Sequence, residues 1–304
     1  MNKCRKIKPG SVLGIICPSG HPKTIDAVNK FCELLTSHGY NFKLGKSVTA
    51  VEGYLAGSDM LRAEDLMEMF KDDTVDAILC FKGGYGAQRI LPYLDFEEIK
   101  RHPKLLIGFS DITVLLNTLY QFSSMPTVHG EMGACMQHYE KFTFEHFFET
   151  LGSGFKTPLK NPTKELNVIN EGVAEGVLVG GNLTLVYALM GTPYEIDFKD
   201  KILFIEDVNE APYSVDRMLS ALSLSGKLKE VKGVICGYFT GCDSEENQTV
   251  DELLVHYLKP LNVPVVTNFQ SGHNKPFINV PVGLKVKLDT YNKCVTVLES
   301  LYED

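Results

Sequence analysis

A serine stands between an apolar strand and a predicted helix, in the run Ile107-Gly108-Phe109-Ser110-Asp111-Ile112-Thr113. A sharp strand-to-helix turn exposes such a side chain at the carboxyl edge of a parallel sheet and aims helix amides at it. Those amides can stabilise the oxyanion of an acyl-transfer intermediate. The second glycine of Gly-x-Ser-x-Gly is missing, however. Taken alone, the run therefore favours a simple helix cap, with Asp111 in the first turn.

A glycine-rich segment, Lys82-Gly83-Gly84-Tyr85-Gly86, follows another apolar strand. Three glycines let backbone amides approach a ligand closely, which suits an oxyanion hole or a phosphate group. The segment matches neither the Gly-x-Gly-x-x-Gly fingerprint nor the P-loop pattern. A plain tight turn explains it equally well, although glycine-rich loops at strand ends of doubly wound sheets tend to line ligand clefts.

An acid and a histidine in the second half complete a set of reactive side chains. Glu206 is predicted to end the apolar strand 201–205, where a carboxylate can orient a histidine through its Nδ1 proton. His273 lies in a turn-rich loop after the strand 263–268 and is a good general base if it faces a cleft. A solvated turn and a surface histidine are the alternatives for each residue singly. Together with Ser110, the order serine, glutamate, histidine fits a nucleophile, its orienter and its base.

The first half of the chain alternates strands and helices. Strands are predicted at 12–17, 41–44, 75–81 and 105–109, and helices with an apolar stripe at 24–38, 59–70 and 112–122. Strands that are apolar on both faces and separated by helices indicate a parallel sheet.

The second half is mixed and richer in strands. Residues 151–172, rich in Gly, Pro, Lys and Asn, are predicted as a linker between a domain at 1–150 and one at 173–304. A glycine-rich turn at 179–182 is predicted to lead into a helix. Strands are predicted at 201–205, 233–238, 263–268 and 294–298. The predicted fold class is α/β, with a parallel-sheet first domain and a smaller β-rich second domain.

Composition excludes several classes of protein. The formal charge of −8 argues against nucleic acid as the main partner, because phosphate neutralisation needs a basic face. No run approaches the roughly 18 apolar residues of a membrane span, and the short apolar run 12–17 indicates a first strand, not a signal peptide. A cytoplasmic location without membrane contact is therefore expected.

The eight cysteines carry no metal-binding signature. They include no Cys-x-x-Cys pair and none lies at zinc-finger spacing to a histidine, so no metal is expected. Cys17, Cys80 and Cys236 lie in apolar runs, where a thiol behaves as a small hydrophobe. Core thiols in a reducing compartment are the expectation, and no sequence feature supports a catalytic cysteine.

Different short motifs, in a defined order, are distributed along nearly the whole chain. They are 15–19 (IICPS), 53–59 (GYLAGSD) with Arg62 and Asp65-Leu66, 82–86 (KGGYG), 108–113 (GFSDIT), 180–183 (GGNL), 191–194 (GTPY), 202–207 (ILFIED), 213–219 (YSVDRML), and Gly272-His273 with 281–283 (PVG). With these motifs the chain resembles the serine peptidase family of LD-carboxypeptidases and microcin C immunity proteins.

The resemblance assigns roles to the reactive residues. It implies Ser110 as nucleophile, His273 as general base and then acid, and Glu206 as the residue that orients the histidine. It implies an oxyanion hole from the backbone amides of Asp111 and of a loop glycine, for which we choose Gly84. It also implies a Rossmann-like first domain joined to a smaller β-rich domain with the site between them, a homodimer, and no metal or organic cofactor.

Two departures from the family pattern concern the substrate. Lys82 stands where the family usually has arginine. The guanidinium group of an arginine can bind a carboxylate with two hydrogen bonds, whereas a lysine offers only a compact charge. Glu131, in His129-Gly130-Glu131, replaces a proline and adds an acid near the expected cleft. The substrate-binding candidates are Tyr85, Arg89, Glu131 and Asn182.

The resemblance leaves two substrate classes. LD-carboxypeptidases release the terminal D-alanine from a cytoplasmic muropeptide tetrapeptide, whereas the immunity relatives cleave an amino acid from a nucleotide sulfamate or phosphoramidate. The immunity type tends to carry a longer insertion between nucleophile and acid, with a tryptophan for stacking. Here the two positions are 96 residues apart and the chain has no tryptophan, which favours the muropeptide. A catalytically silent ligand-binding relative is the remaining alternative, opposed by the complete Ser, Glu and His set.

Overall fold

A computed structural model describes residues 2–136, 140–243 and 249–303. The chain divides into two compact units, one up to Gly154 together with the residues from Ser300 onward, the other from Phe155 to Glu299. The boundary falls within the segment 151–172. Within the described ranges, every helix is too short or too polar to span a membrane.

The first unit is built on a parallel sheet. Its strands are β1 (Val12–Ile16), β2 (Asn41–Leu44), β3 (Ala77–Cys80), β4 (Leu105–Gly108) and β5 (Thr127–His129). They are hydrogen-bonded in the order β5-β4-β3-β1-β2, and every pairing is parallel. The strand order reverses between β1 and β3, and ligands of such sheets bind at the carboxyl ends of the strands beside this reversal. The segments that begin at Cys17 and Phe81 leave the sheet there.

The described residues of this unit also form five α-helices, four between these strands and one after β5. They are α1 (Ile25–Ser37), α2 (Asp59–Lys71), α3 (Phe96–Arg101), α4 (Thr113–Ser123) and α5 (Lys141–Ser153), with 3₁₀ helices at Lys46–Val48, Ala87–Tyr93 and Ser110–Ile112. The hydroxyls of Thr24 and Ser58 accept the amides of Ala27 and Leu61, and so cap α1 and α2. The predicted strands and helices of this half are confirmed, with ends displaced by a residue or two.

The second unit contains a mixed sheet. Its strands are β6 (Asn167–Asn170), β7 (Val173–Asn182), β8 (Lys201–Val208), β9 (Gly233–Thr240), β10 (Val265–Thr267), β11 (Val280–Val282), β12 (Lys285–Asp289) and β13 (Cys294–Val297). Seven of them form a sheet in the order β13-β12-β7-β8-β9-β10-β6. The central strands β7 to β10 run parallel, and β6, β12 and β13 pair antiparallel at the two edges.

In the described part of this unit, three α-helices accompany the sheet: α6 (Leu183–Ala188), α7 (Pro212–Leu224) and α8 (Val250–Leu258), with 3₁₀ helices at Lys227–Lys229 and Lys259–Leu261. The two units together confirm the predicted α/β fold class, with a parallel-sheet first part and a mixed, β-rich second part.

Two local predictions in the second half are wrong. The glycines at 179–182 do not form a turn, because β7 continues through them to Asn182. A Cβ at Gly180 would lie 2.1 Å from the carbonyl oxygen of Phe204, so the glycine there permits a close approach of the neighbouring strand. The strand predicted to end before Glu206 also continues to Val208, so that Glu206 lies inside β8.

Candidate active site

Ser110 occupies a strained position at the carboxyl end of β4. The strand ends at Gly108, Phe109 is extended, and Ser110 adopts a φ of 63° at the start of the 3₁₀ helix that leads into α4. A left-handed conformation costs a residue with a side chain roughly 1–2 kcal/mol, and strain of this kind is concentrated at functional sites. The sharp strand-to-helix turn expected at this serine is therefore present, and its side chain is only half-buried.

The glycine-rich segment after β3 contacts this serine. A Cβ placed on Gly83 would lie 3.4 Å from Ser110 Oγ and 3.2 Å from Ser110 Cβ, so the absence of a side chain lets the backbone pass beside the hydroxyl. The carbonyl of Gly83 accepts the amide of Gly20 at 3.2 Å, and Gly84 has a φ of 124°. The structure thus brings the predicted loop and the predicted nucleophile together within the first unit.

The side chain of Asp111 has a role that the sequence did not predict. It is 1% exposed, and its Oδ2 accepts hydrogen bonds from Ser19 Oγ at 2.5 Å and from the amide of Ala87 at 2.8 Å. Burial raises the pKa of Asp111 above its usual value, although these hydrogen bonds and the charge of Arg62 act in the opposite direction. Only the backbone amide of Asp111 was predicted to contribute to the site.

Arg62 is a second buried polar group next to the glycine-rich segment. Its Nη1 donates to the carbonyls of Pro18 at 2.6 Å and Gly86 at 2.8 Å, and its Nη2 is hydrogen-bonded to Asp59. The guanidinium therefore joins the segment after β1 to the segment after β3. The sequence showed Arg62 only as part of a motif, without a function.

The substrate-binding candidates of the first unit differ in accessibility. Tyr85 is 47% exposed and packs edge-to-face against Tyr54, with ring centroids 5.8 Å apart. Arg89 is partly exposed and donates from Nε to Asp59 at 3.0 Å. Glu131, by contrast, is only 3% exposed. The structure therefore leaves Tyr85 and part of Arg89 open to solvent, while Glu131 is buried.

Lys82, which replaces the usual arginine of the family, donates from Nζ to the carbonyl oxygen of His21 at 3.0 Å.

Glu206 and His273 are hydrogen-bonded to each other in the second unit. Glu206 is fully buried, and its Oε2 lies 2.7 Å from His273 Nδ1. A neutral imidazole that donates its Nδ1 proton to a carboxylate has Nε2 available to accept a proton. The arrangement therefore suits an orienting acid and a general base.

A β-bulge and a glycine allow the histidine loop to reach Glu206. Ile205 of β8 pairs with Cys236 of β9, and Asp207 pairs with Phe239. Two residues of β9 therefore lie opposite the single residue Glu206 of β8, which is a β-bulge. The amide of Tyr238, which lies in this bulge, donates to the carbonyl of Ser271 at 3.0 Å. Gly272 has a φ of 114°, and a Cβ there would lie 2.5 Å from Glu206 Oε2. Only glycine fits this approach.

The electrostatics of His273 favour its protonated form. Burial lowers the pKa of His273, but the hydrogen bond to Glu206 and the charges of Glu206 and Asp207 raise it by more, so that the net pKa lies above the usual value. Burial also raises the pKa of Asp207 to about 6. Two acids in succession therefore act on one imidazole.

Asn182 is engaged with Asp207. Its Nδ2 donates to Asp207 Oδ1 at 2.9 Å, and its Oδ1 accepts the amide of Leu185 and so caps α6. Thr184 donates to Asp207 Oδ2 from both its amide and its hydroxyl, each at 2.9 Å. The structure thus places Asn182, predicted as a substrate-binding residue, in a buried network next to Glu206.

Within residues 2–136, 140–243 and 249–303, no group of three or more histidine, cysteine, aspartate or glutamate side chains is arranged to hold a metal ion.

Known proteins match both halves of the chain. The models of the LD-carboxypeptidase amino-terminal and carboxyl-terminal domains match residues 13–130 and 175–288. A probable murein peptide carboxypeptidase of Bacillus subtilis is 37% identical, covering 97% of this chain and 94% of that protein. The microcin C7 self-immunity protein MccF of Escherichia coli is 27% identical over 95% of this chain and 94% of its own length.

A solved structure agrees with the sequence matches. The crystal structure of muramoyltetrapeptide carboxypeptidase from Oxalobacter formigenes has a TM-score of 0.82 to this chain at 29% identity, covering 94% of this chain and 97% of its own. The α/β fold of the two units is therefore the fold of that enzyme. Because the two domain models span well over half of the residues, the chain belongs to the LD-carboxypeptidase family and is a hydrolase of the carboxypeptidase type.

Proposed function

We propose that the protein is a serine carboxypeptidase that removes the terminal D-alanine from muropeptide tetrapeptides, as a step in the recycling of cell-wall peptides. The observation that carries this proposal is the 2.7 Å hydrogen bond between buried Glu206 and His273 Nδ1, in a chain of the LD-carboxypeptidase family. The relative from Bacillus subtilis, named for murein peptides, supports the substrate class.

The proposed mechanism is acyl transfer through Ser110. His273 Nε2 accepts the proton of the Ser110 hydroxyl while the oxygen attacks the carbonyl of the third residue of the peptide. The backbone amides of Gly84 and Asp111 stabilise the oxyanion, and Glu206 stabilises the imidazolium. The imidazolium then protonates the amine of D-alanine as it leaves, and a water molecule, deprotonated by the same imidazole, hydrolyses the acyl-enzyme.

A cytoplasmic location and a homodimeric state complete the proposal. The described cysteines are all free thiols, and all but Cys135 are buried, which is typical of proteins of a reducing compartment. The homodimer rests on the family resemblance alone, and sedimentation of the purified protein tests it.

The test is release of D-alanine from L-Ala-γ-D-Glu-L-Lys-D-Ala and from its diaminopimelate counterpart, followed by mass spectrometry. We expect turnover in the wild type and in Ser37→Ala, which changes an exposed serine in α1, and none in Ser110→Ala. Absence of release from both peptides by the folded wild-type protein would refute the proposal. Undiminished turnover in Ser110→Ala would refute the role of Ser110.

The similarity to MccF favours one second candidate, hydrolysis of an aminoacyl nucleotide. A parallel assay with an aminoacyl sulfamoyl adenylate separates the two substrates. Cleavage of the adenylate without cleavage of the tetrapeptide would replace the first proposal by the second. Binding of either compound without cleavage would indicate a catalytically silent relative.

A further inference from the structure

We propose that Asp111 is a positioning residue, whose carboxylate holds the glycine-rich segment 82–86, through the adjoining Ala87, against Ser110 so that the amides of the segment are aimed at the oxyanion. The inference rests on the proposed function, because it assigns the segment to an oxyanion hole. It concerns the side chain of Asp111, whereas the role proposed above concerns its backbone amide.

The carboxylate joins three separate segments at one buried point. Asp111 follows the nucleophile directly, and its Oδ2 accepts from Ser19, after β1, and from the amide of Ala87, directly after the glycine-rich segment. Ser19 is fully buried and Asp111 is 1% exposed, so water does not compete for these bonds. The serine turn, the segment after β1 and the segment after β3 are thus fixed to each other.

Three further hydrogen bonds act on the same segments. Arg62 Nη1 holds the carbonyls of Pro18 and Gly86, and the amide of Gly20 donates to the carbonyl of Gly83. The charge of Arg62 also stabilises the ionised form of Asp111. The backbone is therefore held at Gly83, before the Gly84–Tyr85 peptide, and at Gly86 and Ala87, after it.

The chemistry of an oxyanion hole explains why such bracing is needed. Glycine loses more backbone freedom than any other residue when it is fixed, and this segment contains three glycines in four positions from 83 to 86. An oxyanion donor has to lie within about 2.7–3.1 Å of the developing charge, and losing one such donor typically lowers kcat about 10²–10³-fold. A segment free to rotate its peptide planes would meet that requirement only part of the time.

Two substitutions of Asp111 separate the hydrogen-bond acceptor from the negative charge. Alanine leaves the buried amide of Ala87 and the hydroxyl of Ser19 without their acceptor, whereas the side-chain oxygen of asparagine can accept both. We expect Asp111→Ala to lower kcat for the tetrapeptide about 100-fold and to change KM less than about 3-fold. Asp111→Asn should recover kcat to within about 10-fold of the wild type. Asp95→Ala, which removes the capping carboxylate of α3, is the matched control and should leave kcat unchanged.

A tripeptide boronic acid, in which boron replaces the scissile carbonyl carbon, reports on the oxyanion hole directly. Its adduct with Ser110 is tetrahedral and places an oxygen where the oxyanion forms. We expect Asp111→Ala to lower the affinity for this compound by the same factor by which it lowers kcat, because both depend on amides that are aimed at the oxyanion. An unchanged kcat or an unchanged boronate affinity in the folded variant would overturn the inference, as would equal losses in the alanine and asparagine variants.

Two measurements keep the inference testable if Asp111→Ala does not fold or if the peptide is not the substrate. Ser19→Ala removes one donor and should lower kcat about 5-fold without changing KM; an unchanged kcat would contradict the inference. Hydrogen exchange of the amides 83–87 needs no turnover, and it should be faster in Ser19→Ala, and faster still in Asp111→Ala, than in the wild type. Unaltered exchange would refute the positioning role, whereas altered exchange without peptide cleavage would refute only the proposed function.

Discussion

Replacing Glu206 by glutamine tests how the histidine is activated. The substitution keeps the shape of the side chain but removes the charge of a fully buried carboxylate, 2.7 Å from His273 Nδ1. At an effective dielectric constant of about 20, opposite charges about 4 Å apart attract each other by about 4 kcal/mol. This attraction exists only when the imidazole is protonated, as the proposed mechanism requires while Ser110 attacks the substrate. Its loss should therefore lower kcat about 10³-fold.

The same substitution should change the pH dependence in a defined direction. In the wild type, burial lowers the pKa of His273, but the hydrogen bond to Glu206 and the charges of Glu206 and Asp207 together raise it above its usual value. The general base has to be neutral, so wild-type activity should be lost as the pH falls through this raised pKa. In Glu206→Gln, the charge of Asp207 alone opposes the effect of burial, so the pKa of His273 falls. The acid limb of the pH profile, where activity is lost, therefore moves to lower pH.

The assay is kcat/KM for tetrapeptide cleavage between about pH 5 and 9, in the wild type, in Glu206→Gln and in Glu175→Gln. Glu175 is an acid of the same unit whose side chain is 47% exposed and paired with Lys285, so its variant should follow the wild-type profile. An acid limb of Glu206→Gln at the same or a higher pH, or a loss of kcat below about tenfold, would refute the reasoning.

Three further predictions concern the local structure. Gly272→Ala should lower kcat at least tenfold and destabilise the fold by about 1–3 kcal/mol, because its Cβ would lie 2.5 Å from Glu206 Oε2. Gly226→Ala, which also has a positive φ but open space around the Cβ, is the control and should retain kcat. Ser110→Gly should be more stable than Ser110→Ala in urea by about 0.5–1 kcal/mol, since glycine relieves the left-handed strain; equal stabilities would contradict that strain. Burial lowers the pKa of Lys104 to about 8, so the folded state binds fewer protons than the unfolded state between about pH 8 and 10.5. The free energy of unfolding should therefore rise with pH in this interval, by about 3 kcal/mol relative to Lys104→Met. A difference between the two proteins that does not depend on pH would refute this prediction.

The first sheet was predictable because its strands carry a strong local signal. All four residues of β3 (Ala77–Cys80) and of β4 (Leu105–Gly108) are buried, as expected for strands covered by helices on both faces. Helix α1 was equally clear, since Val28, Phe31 and Leu35 lie on one buried face. These elements could be predicted because each is specified by its own residues.

Glycine has two structural uses, and the sequence does not distinguish them. The glycines at 83–86 form a loop, as predicted, whereas Gly180 lies inside β7. A glycine is needed at that position because the carbonyl of Phe204 leaves no room for a Cβ. The distinction depends on the register of β7 against β8, which is a contact between distant segments. For the same reason the sequence did not show that β8 continues past Glu206.

The hydrogen-bond partners of the buried polar groups beside Ser110 had no local signal. Ser19 and Asp111 are 92 positions apart, and Arg62 reaches Pro18 across 44 positions. The sequence context gives no reason for the polarity of Ser19 or Arg62, and for Asp111 it indicates only an acid in the first turn of a helix. A polar side chain in a segment that leaves a buried strand is nevertheless a usable signal, because such a group has to find a hydrogen-bonding partner when it is buried.

Glu206 and Asp207 show why residue type alone does not identify the carboxylate that is hydrogen-bonded to His273. The two carboxylates are adjacent in β8, and successive side chains of a strand point to opposite faces. Glu206 therefore meets the histidine loop, while Asp207 receives the hydrogen bonds of Asn182 and Thr184. The two roles cannot be exchanged by side-chain rotation, because Asp207 already holds the start of α6 to the end of β8. We infer that Asp207 acts on His273 only through its charge, so that the direct hydrogen bond belongs to Glu206.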